Sequence, residues 1–304
     1  MPTSFLSQIE TNIASLIRLP YSFVTITGLE AEKFLQGQFS CDMKTITAAA
    51  LHYGTVSSPK GRMYGLFKII RIEDGFLLRL EPSTVEKFVT TLNKYKVFFK
   101  CDIKIASQYA SYAYKPLALN DKIDLPSSNQ IQRIDADILS RLSQKNDFFE
   151  LWTTDKTLAA FTTSTHPDHW FALETQLGLP ELYEATQDSF ILQYLNLQEL
   201  GAVSFKKGCY TGQEIIARMK FLGKLKKKMF LLSSPIQKTV EAGSDIYDET
   251  GKKCGQIVRS HWSEATGSVS LGILNISYAD DAKNVFLETE KQAPFVVNQI
   301  DYNV

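Results

Sequence analysis

The chain has 304 residues, 44% hydrophobic and 22% charged, values of a soluble globular protein with two domains or one large domain and a smaller attachment. Its 33 basic and 33 acidic residues cancel, so there is no overall basic excess of the kind that phosphate-binding nucleic-acid partners select. Cys41, Cys101, Cys209 and Cys254 are dispersed with no Cys-x-x-Cys pair, which argues against a disulfide framework or structural zinc and fits a reducing cytoplasm.

Taken in chain order, the first residues include Glu10 and no apolar core before a cleavage site, so no signal peptide is expected. Residues 23–26 read as a strand. Thr27 and Glu30 have capping-box spacing ahead of a helix through Phe34 and Leu35, with Gly37 as its stop. Residues 52–56 and 63–72 read as a hairpin around a Pro/Gly loop, and 76–80 as a third strand. A helix opens near Ser83 with Val85, Phe88, Val89 and Leu92 on one face, and 97–105 reads as a strand. Residues 120–129 are polar and read as a loop. Residues 148–152 and 157–161 read as strands. Asp168 is the expected N-cap of a helix carrying Trp170, Phe171, Leu173 and Leu177, which ends at Gly178 and Pro180. After 224–228 the pattern changes to short strands at 229–232, 245–247, 256–261, 269–274 and 285–287, with no helix between them. This predicts a small C-terminal β-barrel. The expected class is α+β, with a region at 1–223, divisible near 106–130, followed by the barrel at 224–304. No apolar run is long enough to span a membrane.

Chemistry concentrates at 207–214, Lys207-Gly208-Cys209-Tyr210-Thr211-Gly212-Gln213-Glu214. Thr211 and Glu214 have capping-box spacing, and Ile215, Ile216 and Met219 follow at helical intervals. A thiol before a helix N-terminus and beside Lys206 and Lys207 loses its proton more easily than a free cysteine, which makes Cys209 a candidate reactive thiolate. Gly208 and Gly212 are expected to serve a turn. His166 and His169, split by Pro167, read as a surface turn rather than a metal site. No dinucleotide or Walker-type loop is present. The run Lys224, Lys226, Lys227 and Lys228 reads as a solvated or edge-protecting segment, with phosphate or polyanion contact as its functional alternative. Trp170 suits either core packing or the wall of a flat ligand's site.

The order Asn196-Leu197-Gln198, then Phe205 through Glu214, then Ala217-Arg218 resembles the signature of the YgfZ family of folate-binding proteins, relatives of the glycine cleavage T-protein. Gly28, Phe34-Leu35-Gln36-Gly37-Gln38 with Asp42, and Ser58 through Met63 match further blocks of the family pattern. The resemblance implies an aminomethyltransferase-like region that binds tetrahydrofolate. It places Tyr21, for the family's tryptophan, and Trp170 at the folate, and Asp42 at the T-protein's aspartate. It also places Gln176 at a pterin-contacting glutamate, a change that removes a negative charge. That change, and a cysteine at 209 where the T-protein has none, weigh against glycine cleavage. The family branch implies a role in making or repairing iron–sulfur enzymes, including tRNA-thiolating ones, with Cys209 a thiolate poised by Lys207 and the following helix, and Asp42 a polar contact or base near the folate. Iron–sulfur enzymes or their assembly machinery are the implied partners. Two alternatives stay open: a folate-dependent one-carbon transferase acting on a small amine, and a tRNA-binding module working through 224–228.

Overall fold

The computed structural model describes residues 13–116, 126, 130–134, 137–143, 147–162, 167–223, 225–264, 267–280, 284–288, 290 and 293–302. Strands β1 (Ile13–Leu19) and β2 (Ser22–Thr27) lead to helix α1 (Ala31–Gln36), then β3 (His52–Ser57), β4 (Met63–Ile72), β5 (Gly75–Leu80), α2 (Val85–Tyr95) and β6 (Asp102–Ile105). Next come β7 (Ala110–Pro116), β8 (Ile131–Ile134), β9 (Asp137–Arg141), β10 (Phe149–Thr153), α3 (Asp168–Gln176) and α4 (Gln213–Phe221). The C-terminal part holds β11 (Lys227–Ser234), β12 (Asp245–Asp248), β13 (Lys253–Ser263), β14 (Gly267–Asn275), α5 (Ile276–Asp280), β15 (Val285–Leu287) and β16 (Val296–Asn298).

Three sheets form, ordered β3-β4-β5-β2-β6, β1-β7-β10-β9-β8, and β15-β12-β13-β14-β11-β16. Strand pairing within them is antiparallel. The central strands β4 and β5 of the first sheet are buried on both faces, which explains why they read as nearly unbroken apolar runs. Because strand side chains alternate, Val24, Ile69 and Leu78 join Phe34 and Phe88 under the helices. Phe23, Ile70 and Leu77 point the other way and pack with Ile138 and Trp152 of the second sheet. The third sheet curls, and a bridge from Val285 to Phe295 draws its two ends toward one another. Its core is Phe230, Leu232, Ile246, Ile257, Leu274 and neighbours. The mixed, mostly stranded class agrees with expectation, and the C-terminal strands make a curled half-barrel.

Several local expectations are corrected. Lys96–Phe98 forms a 3-10 turn continuing from α2, so only 102–105 of the expected 97–105 strand pairs in a sheet. Lys156–Phe161 is also a 3-10 turn, because the Asp155 carboxylate accepts from the Thr157 N–H at 2.8 Å and curls the chain. Glu30, not Thr27, precedes α1, and its carboxylate accepts from the Lys100 N–H at 2.9 Å instead of closing a capping box. Asp168 is the first residue inside α3, after Pro167. A short helix, α5, stands between C-terminal strands where none was expected. The polar loop at 120–129 lies almost entirely outside the described residues.

Candidate functional site

The three motif blocks converge. The Thr211 N–H donates to the Gly37 carbonyl at 3.1 Å, and the Ser204 N–H to the Ser40 carbonyl at 2.9 Å. The Lys207 ammonium donates to the carbonyls of Phe39 and Cys41, both at 2.8 Å. Gly212 sits against the Ser58 loop with φ +84°, and a Cβ there would lie 2.6 Å from the Ser58 oxygen. Only glycine tolerates both the left-handed backbone and that approach. Gly208 has neither constraint and faces open space, so the expected shared turn role of the two glycines holds for Gly212 alone.

The capping box of Thr211 and Glu214 does not form. Gly212 is the N-cap of α4, Thr211 therefore stands one residue too early, and its hydroxyl turns to the Gln38 side chain at 3.4 Å. Glu214 is exposed, Gln213 opens the helix half-buried, and Tyr210 is buried with Ile216 and Leu195. Cys209 is exposed, whereas Cys41, Cys101 and Cys254 are buried, all four as free thiols. Lys207 is buried, and its ammonium also lies 5.0 Å from the Tyr210 ring centre. Burial lowers its pKa to about 8, opposed by Cys41 and Asp42. The Cys41 thiol is pushed by burial up to about 12. Asp42 is half-buried, and its Oδ1 accepts from the Gln36 side chain at 2.9 Å and the Lys44 N–H at 3.2 Å, capping a 3-10 turn.

Tyr21 and Trp170 meet in one buried cluster with Leu19 and Ala113, against which Phe171 and Leu142 pack. The Tyr21 hydroxyl donates to Glu174 at 2.8 Å, and the Arg79 guanidinium lies 3.5 Å from its ring centre. Gln176 is exposed, so Glu174, one face round α3, is the carboxylate brought to Tyr21. The Trp170 indole nitrogen is buried with no hydrogen-bond partner.

Around Tyr21 runs a buried charge network that sequence reading missed. Glu150 accepts from Lys68 at 2.8 Å, from Ser111 at 2.9 Å and from the Trp152 indole at 2.8 Å. Arg79 approaches Glu150 at 3.3 Å, Glu181 at 3.5 Å and Glu174 at 3.9 Å. Arg259 of β13 closes the network on Glu174 at 2.7 Å. These contacts join all three sheets. Burial opposes ionisation of Glu150, but Arg79 and Lys68 outweigh it and hold the carboxyl down to about 2. At Glu181 burial wins over Arg79 and Arg259 and pushes the carboxyl up to about 7. The available sequence signal was a charge set inside each apolar run: Lys68, Arg79, Glu150 and Arg259.

Beside this network lies a cavity of about 450 Å³. Leu142, Leu177 and Leu179 give it apolar walls, Tyr53 and Tyr302 flat ones, and His52 and Glu199 polar edges. Leu142 also packs on the Tyr21–Trp170 cluster, so those two rings stand behind the wall rather than in it. The His52 Nε2 is buried without a partner, and burial lowers the pKa of the ring. Tyr302 donates to the Gly178 carbonyl at 3.2 Å, which fixes the C-terminal segment over the cavity. Among solved structures, the chain is similar to glycine cleavage system aminomethyltransferase T from Bartonella henselae. The TM-score is 0.70 over 98% of this chain and 90% of that one, at 13% identity. The chain has the aminomethyltransferase T fold. No family model matches it.

Other sequence candidates fall outside this cavity and its charge network. His166 and Lys224 lie outside the described residues, and His169 is exposed in the first turn of α3. Lys227 and Lys228 begin β11, where the Lys228 ammonium lies 5.2 Å from the Phe230 ring centre. Among the described residues, no group of three metal-ligating side chains comes together, and no helix is long and apolar enough to cross a membrane.

Proposed function

We propose that this chain binds tetrahydrofolate in the cavity beside the charge network and acts as an accessory protein in the synthesis or repair of iron–sulfur enzymes, including tRNA-modifying ones, in the cytoplasm. The observation that carries the folate reading is the cavity itself. Its volume falls in the range of small-molecule sites, and it combines apolar walls with a few polar groups. Buried polar atoms are ordinarily satisfied, so the unpartnered His52 Nε2 at the cavity's edge marks where a heteroaromatic ligand's polar edge would be used. The donor set fits a pterin. Tyr53 and Tyr302 would flank the ring, His52 and Glu199 would bond its edge, and Tyr21 and Trp170 would hold the wall from behind. A bound folate supplies a carrier for one-carbon units. Gln176, exposed, has no part in this arrangement.

Cys209 is the reactive group in this reading, presented by the 205–214 segment at the surface. Lys207 positions that segment by holding two carbonyls of 39–41. The iron–sulfur role and its partners rest on the resemblance of 205–214 to the family signature. A transferase acting on a small amine needs Asp42 to address the ligand, yet its Oδ1 is occupied by Gln36 and Lys44. The test is titration with tetrahydrofolate followed by tryptophan fluorescence. Saturable binding that weakens at least about tenfold in Tyr53→Ala supports the proposal, and absence of saturation overturns it.

A further inference from the structure

Beside the signature segment, α4 ends in Phe221 and Leu222, which are 66% and 85% exposed. The Phe221 ring meets Phe205 edge-on with centroids 6.1 Å apart. The N–H groups of Leu222 and Gly223 both return to the Arg218 carbonyl, at 2.9 and 2.8 Å, so the apolar pair sits on a closed helix end. Grouped large apolar side chains of this kind mark interaction surfaces.

The rim is cationic. The Lys220 ammonium lies 4.9 Å from the Phe205 ring centre, Lys206 adjoins Phe205, and Arg218 precedes Phe221 and Leu222 by three and four residues, on their side of the helix. All three cations are exposed, and none has a carboxylate partner among the described residues. A second copy of the chain is a poor occupant, because a two-fold contact would set these cations against themselves. Nucleic acid would satisfy the charges, but Leu222 offers no face on which a base can stack, and Glu214, one turn before Arg218, repels phosphate.

We propose that Phe205, Phe221 and Leu222, rimmed by Lys206, Arg218 and Lys220, form a docking face for a second protein, through a segment whose apolar side chains are flanked by carboxylates. Phe205 and Cys209 are four residues apart, a reach of at most about 14 Å, so docking brings the partner to the exposed thiol. The proposal goes beyond the folate reading and stands whether or not the cavity takes a folate.

Selection of phage-displayed random peptides on the intact protein tests it. Enriched peptides should carry leucine or aromatic residues beside Asp or Glu. Their binding should weaken at least about tenfold in the Phe221→Ser, Leu222→Ser double variant and fall with added salt. Both replaced side chains are exposed, so an unchanged melting temperature separates lost docking from lost fold. No enrichment, or peptides that bind the double variant as tightly as wild type, overturns the proposal. So does single-stranded RNA binding that the double variant abolishes, which would assign the face to nucleic acid.

Discussion

Glu174 and Arg259 meet at 2.7 Å with each side chain only 2% exposed, and this pair ties α3 to the curled C-terminal sheet. Burial opposes the charge on Glu174, but Arg259 and Arg79 override it and keep the carboxyl below its usual range. Removing one partner strands a buried charge. Arg259→Met or Glu174→Gln is therefore expected to cost about 3–5 kcal/mol of stability. The double replacement Glu174→Gln, Arg259→Met should cost less than the sum of the two single replacements. Urea denaturation of the three variants reads both effects.

Glu181 predicts a pH dependence. Its folded pKa, about 7, lies above the ordinary value of 4.5, so the protonated form favours the fold. That contribution is full below pH 4.5 and is lost as pH rises through about 7. Glu150 has the opposite sign, since its contribution is present above pH 4.5 and is lost as pH falls toward about 2. Glu181→Gln should remove about 2–3 kcal/mol of the decline between about pH 5 and pH 8. Denaturation at those two values, on wild type and variant, checks the sign and the size.

The signature glycines are expected to separate. Gly212→Ala forces a side chain into left-handed backbone and against the Ser58 carbonyl, and should lower stability by about 1–3 kcal/mol. Gly208→Ala meets nothing and should leave the melting temperature unchanged. Loss of biological activity in Gly208→Ala alone would then report on the neighbouring thiol rather than on folding.

Cys209 and Lys207 should also part company. Cys209→Ser leaves an exposed position exposed, so stability and tetrahydrofolate affinity should hold while complementation of a deletion strain is lost. Full complementation would remove the reactive role. Lys207→Met leaves the Phe39 and Cys41 carbonyls unpaired, and should cost about 1–3 kcal/mol by denaturation.

Period-two and helical patterns made α1, α2, the β3–β4 hairpin, β5 and five of the C-terminal strands legible, because each buries a regular face. Residues 157–161 misled because a single side chain, Asp155, turns an apolar stretch into a 3-10 helix. Thr211 and Glu214 carried the right spacing, but a left-handed Gly212 took the cap position. Tyr21 and Trp170 were expected on the family resemblance to flank a folate, and the structure instead packs them together in one buried cluster behind the cavity wall. The cavity was not legible, because its lining comes from segments as distant as His52, Leu142 and Tyr302. Glu174 was passed over for Gln176, since only the helix phase decides which of the two faces Tyr21.

The most direct measurement is tetrahydrofolate titration by tryptophan fluorescence on wild type, Trp170→Phe and Tyr53→Ala. Wild type should bind saturably, Trp170→Phe should show a smaller fluorescence change because the indole behind the wall is gone, and Tyr53→Ala should bind at least about tenfold more weakly. No saturable signal from wild type, or a Tyr53→Ala variant that binds as wild type does, would contradict the folate reading.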